Sequence, residues 1–117
     1  MTESERRARF ERALEYGGRT HTVADVARMI REGTAQFWQR GDGMIVTEVN
    51  EFPLFKAVRF WIVAGELKAC LGLQPEIDAW ARGEGCTVAT AMGRKGWGRA
   101  APGWKPGLPN FFRELDT

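Results

Sequence analysis

Glu48 and Glu51 follow the apolar run Ile45-Val46-Thr47 and stand near the end of one strand-like segment. A carboxylate held at a strand end can take a proton from an amine through water, so either residue could serve as a general base. The ordinary alternative is a pair of solvated carboxylates, the usual fate of Glu on a surface. A second group lies in the last quarter of the chain. Arg94, Lys95, Arg99 and Lys105 are interleaved with Trp97 and Trp104 in a Gly- and Pro-rich stretch without an acidic residue. Such a mixture can grip phosphates and stack on bases. It can form a protein contact, where Trp and Arg carry binding energy. It can also be a loop whose Trp rings cap the core while its charges meet water. His21 is the only histidine. With no second histidine to share a metal ion, it reads as a surface residue beside a helix cap, and no metal site is expected. Cys70 and Cys86 lack the C-x-x-C spacing of a redox pair and read as buried thiols.

Hydrophobic periodicity indicates the elements that hold these groups. Thr2 with Glu5 fits a capping box, Phe10, Ala13 and Leu14 recur at helical spacing, and Gly17-Gly18 stops the run. The helix over Thr2 to Tyr16 is strongly charged and is expected at the periphery. Thr22 and Asp25 form a second box. Val23, Val26, Ala27 and Ile30 follow at i, i+3, i+4 and i+7, and Gly33 ends that helix. Ala35 to Arg40 and Met44 to Val49 read as strands flanking a Gly41-Asp42-Gly43 hairpin signal. Lys56 to Val63 is the strongest strand. Val58, Phe60 and Ile62 should face one way, and Ala57, Arg59, Trp61 and Val63 the other. Both sets are largely apolar, which predicts a central strand covered on both faces. Pro53 falls in the turn before it.

Ala64-Gly65 then leads into a helix over Glu66 to Arg82, with a face of Leu67, Cys70, Leu71, Gln74, Ile77, Trp80 and Ala81. Pro75 inside it predicts a kink or two helical pieces. Cys86 to Met92 reads as a buried strand, parallel to Lys56–Val63 because a helix connects them. Trp97 to Ala101 fits a short helical turn and Phe111 to Leu115 a terminal strand. Trp38 and Trp61 are expected in the core. The sum is an α/β fold in one domain over residues 1–117, with a mixed sheet of about five strands flanked by helices.

Composition narrows the function classes. The chain of 117 residues is 44% hydrophobic and 27% charged, as in an ordinary globular domain. Lys and Arg total 17 against 15 Asp and Glu, a net charge of +2, which argues against a polybasic nucleic-acid tail but leaves room for a local patch. No apolar run approaches the length of about 18 residues that a membrane span requires, so no membrane partner is expected. The first residues lack the apolar stretch of a signal peptide, and two cysteines make no disulfide framework. The expectation is a small intracellular domain.

The order of elements resembles the GNAT N-acetyltransferase fold. There, helices precede an antiparallel meander, and the central strand feeds a helix and a parallel strand. A short helix and a last strand close the sheet. Ile77-Asp78-Ala79-Trp80-Ala81-Arg82-Gly83-Glu84-Gly85-Cys86 is followed closely by Gly93-Arg94-Lys95-Gly96-Trp97. With Ile45-Val46-Thr47-Glu48, these stretches are similar to small GNAT-like proteins encoded by tailed phages and prophages. The resemblance spans Thr22 to Leu115.

What the resemblance implies is shaped by two departures. GNAT enzymes hold the pyrophosphate of acetyl-coenzyme A on backbone N–H groups of a Gly-rich Arg/Gln-x-x-Gly-x-Gly/Ala loop after the central strand. Here that junction is Val63-Ala64-Gly65-Glu66-Leu67, with one Gly, no Arg or Gln, and a carboxylate that repels phosphate. The family's acid, a Tyr on the last short helix, is missing. The only tyrosine is Tyr16, and Trp97 stands in the expected region. The resemblance thus implies a non-catalytic GNAT-like scaffold without a cofactor. It would act through protein contacts, as a minor virion or assembly component touching phage structural proteins. Its contact surface would be Arg94, Lys95, Trp97, Arg99, Trp104 and Lys105, and its location cytoplasmic in the host or virion-associated. The alternative is an acyl-coenzyme A dependent N-acetyltransferase. Glu48 or Glu51 would then be the base, and Val63, Gly65, Glu66 and Leu67 would hold acetyl-coenzyme A. Nucleic-acid binding through the same basic loop is a third, weaker reading.

Overall fold

The computed structural model describes residues 2–16, 20–91, 103–106 and 111–115. Helices α1 (Glu3–Tyr16) and α2 (Val23–Glu32) open the chain. Strands β1 (Gln36–Arg40), β2 (Gly43–Glu51) and β3 (Lys56–Gly65) form an antiparallel meander. Helix α3 (Leu67–Gly83) crosses to β4 (Val88–Ala91), which runs parallel to β3. Strands β5 (Lys105–Pro106) and β6 (Phe111–Glu114) complete a sheet of order β1-β2-β3-β4-β6-β5, six strands among the described residues. The fold is mixed α/β, a sheet with helices on both faces. The two-residue β5 lies in the Gly- and Pro-rich stretch that periodicity leaves without an element.

Local chemistry explains the boundaries. The Thr2 hydroxyl accepts from the Glu5 N–H at 3.1 Å and starts α1. At α2 the box is reciprocal: the Asp25 N–H donates to Thr22 Oγ1 and the Thr22 N–H to Asp25 Oδ2. The Thr22 backbone N–H, and after it the Thr22 side chain, hold the Asp25 carboxyl below the usual carboxylate range. Gly33 closes α2 in a left-handed conformation with φ 82°. Gly41, with φ 52°, turns β1 into β2 between the paired Arg40 and Gly43.

The core lies in two layers. On one face of the sheet α3 buries Cys70, Leu73, Ile77 and Ala81 against Ile45, Val58, Phe60 and Ala89. On the other, α1 and α2 bury Phe10, Leu14 and Val26 against Met44, Val46, Ile62 and Ala64. Helix α1 is therefore docked despite its charge, with Ala13 packed beside Phe10 and Leu14 and Arg6 Nη1 3.6 Å from Asp42 Oδ1.

The strict alternation expected along β3 does not hold. Val46 pairs with Ile62, yet the next residue, Thr47, pairs with Phe60. Trp61 is thus the extra residue of a β-bulge. Val58 and Phe60 join the α3 layer, while Ile62 joins the α1/α2 layer. Of the two outcomes expected at Pro75, two separate helical pieces are not found. Helix α3 is continuous over Leu67–Gly83 with Pro75 inside it. A proline removes one intrahelical donor and presses on the preceding turn. Beside it, Arg40 Nη1 donates to the Gly72 carbonyl at 2.9 Å, giving that turn a partner from β1. Leu73, absent from the expected face of α3, is among its most buried residues, whereas Leu67 is exposed.

Candidate functional site

In open α/β sheets ligands bind outside the carboxyl ends of the parallel strands, here β3 and β4. Among the described residues β4 pairs with β3 from Ala57 to Phe60, and β3 runs on to Gly65, so the described strands leave a gap beside this last part of β3. The Glu66 N–H donates to the Asp42 carbonyl at 2.9 Å. This fixes which residues of β3 face β2. Antiparallel alternation then turns the N–H and C=O of Val63, opposite Ile45, away from β2 and toward the gap. Neither has a backbone partner among the described residues.

The α3 side of the gap is filled. Trp104, 5% exposed, packs edge-on to Phe60 with ring centroids 5.2 Å apart. Its indole Nε1 donates to Gln74 Oε1 at 3.0 Å, linking the C-terminal segment to α3. Ile45, Phe60, Val63, Cys70, Leu71 and Gln74 enclose a cavity of about 10 Å³, room for one water molecule at most. The Cys70 thiol donates to the Ala64 carbonyl at 3.3 Å. Burial pushes its pKa up, as it does for the buried Cys86, so both thiols stay protonated at neutral pH.

The junction into α3 is shaped by packing. Gly65 has φ 90°, and a Cβ there would collide with the Asp42 carbonyl oxygen. A Cβ on Gly43 would stand 2.7 Å from the Cys70 N and 2.8 Å from the Ala69 Cβ. These glycines let the first turn of α3 sit directly on the β1–β2 turn. Of the donors assigned to acetyl-coenzyme A, that of Glu66 is already bonded to Asp42. The Glu66 side chain makes no capping bond and is exposed.

Glu48 and Glu51 are not brought together with that gap. Each is engaged by its cross-strand neighbour. Arg59 Nη1 donates to Glu48 Oε1 at 2.7 Å, and Lys56 Nζ lies 3.6 Å from Glu51 Oε1. The Arg59 guanidinium also lies 6.0 Å from the centre of the Trp61 ring. His21 packs edge-on to Trp61 at 4.7 Å, and its Nδ1 shares a hydrogen bond with Thr20 Oγ1 at 2.7 Å. It is thus a half-buried cap neighbour.

Of the expected contact surface, Arg94, Lys95, Trp97 and Arg99 lie outside the described residues, as does the expected turn over Trp97 to Ala101. Trp104 belongs to the core, which corrects its assignment to an exposed surface. Lys105 is placed only as a backbone position in β5. Trp38 is half-buried, donating from Nε1 to the buried Thr47 hydroxyl at 3.0 Å and packing edge-on to Trp80. Among the described residues no group of acidic, Cys or His side chains could hold a metal ion, and no helix is long and apolar enough to cross a membrane.

Two features escaped the sequence reading. The bulge at Trp61 leaves no residue-type signal. The apolar turn Phe52-Pro53-Leu54-Phe55 was legible as four apolar or turn-forming residues in a row, yet only Pro53 was assigned there. Comparison with family models, with curated proteins and with solved structures finds no match.

Proposed function

We propose that the chain is a non-catalytic GNAT-like protein of the phage or prophage type. It works through protein contacts, as a minor virion or assembly component, in the host cytoplasm or in the particle. The observation that carries this reading is Trp104 buried on Phe60 at the carboxyl end of the described β3–β4 pairing, where a coenzyme arm would need room. Two others support it. Glu66 sets a carboxylate at the start of α3, unfavourable for a pyrophosphate. The candidate bases Glu48 and Glu51 are each tied to a cation of β3.

The test is a thermal-shift titration with acetyl-coenzyme A. A ligand at 100 times its dissociation constant stabilises the native state by about 2.7 kcal/mol. No shift at millimolar coenzyme is the expected outcome. A saturable shift would overturn the reading in favour of an N-acetyltransferase. One observation favours that alternative: the N–H and C=O of Val63 point into the gap without a backbone partner among the described residues.

A further inference from the structure

We draw no further inference here: the strongest candidate, the outer edge of β1 with the exposed Phe37 on it, is a strand edge without a neighbour among the described residues, and nothing in the structure shows what covers it.

Discussion

Gly65 holds the junction between β3 and α3 in a conformation that other residues resist. At φ 90° a side chain is strained, and here it would also strike the Asp42 carbonyl. Gly65→Ala should therefore cost at least about 2 kcal/mol, the strain of a left-handed non-glycine residue plus displacement of the β1–β2 turn. Urea denaturation would measure it. The α2 cap offers a gentler test. Thr22→Ala removes the hydroxyl that receives the Asp25 N–H and should cost about 1 kcal/mol. The cap also has a pH signature. The Asp25 carboxyl is held low in the folded protein, so its charge contributes stability above the unfolded pKa, and that contribution is lost as pH falls through the folded value. Wild type should exceed Asp25→Asn in stability near neutrality, and the two denaturation midpoints should converge in acid. Parallel curves down to the lowest pH would show that the carboxylate charge contributes nothing.

Elements were legible wherever one local signal decided them. The reciprocal bonds of Thr22 and Asp25 and the left-handed Gly33 bound α2 where spacing places it. The parallel pairing of β3 and β4 follows from the helix between them. Signals failed where a distant partner decided the outcome. Pro75 allows a kink or two helical pieces, and only the packed structure shows α3 continuous through it. Leu67 and Leu73 are alike as residue types, and only the packed helix shows that one is exposed and the other buried. The same holds for the candidate site. Glu48 and Glu51 were legible as carboxylates at a strand end. Their pairing with Arg59 and Lys56 is a matter of register, which the β2–β3 turn sets.

In the whole molecule, Trp104 joins the C-terminal segment to the main core. It contacts β3 through Phe60 and α3 through Gln74. Trp104→Ala removes a large buried ring and should cost about 3 to 5 kcal/mol, a loss that denaturant titration would register. Trp104→Phe keeps an aromatic partner for Phe60 but loses the indole donor, and should cost less. A basic-aromatic stretch reads alike in sequence whether its rings face water or core. Here Trp104 is claimed by Phe60, a residue more than forty positions earlier in the chain.

Trp61 leaves the two-residue beat of β3 out of step with itself. Before it, even-numbered residues belong to the α3 layer; beyond it, Ile62 and Ala64 belong to the opposite layer. One strand thus serves two cores in succession. Its length between Phe60 and Gly65 acts as a reading frame. Substituting one apolar residue for another leaves that frame intact, whereas deleting a single residue there exchanges the inner and outer sets from that point onward.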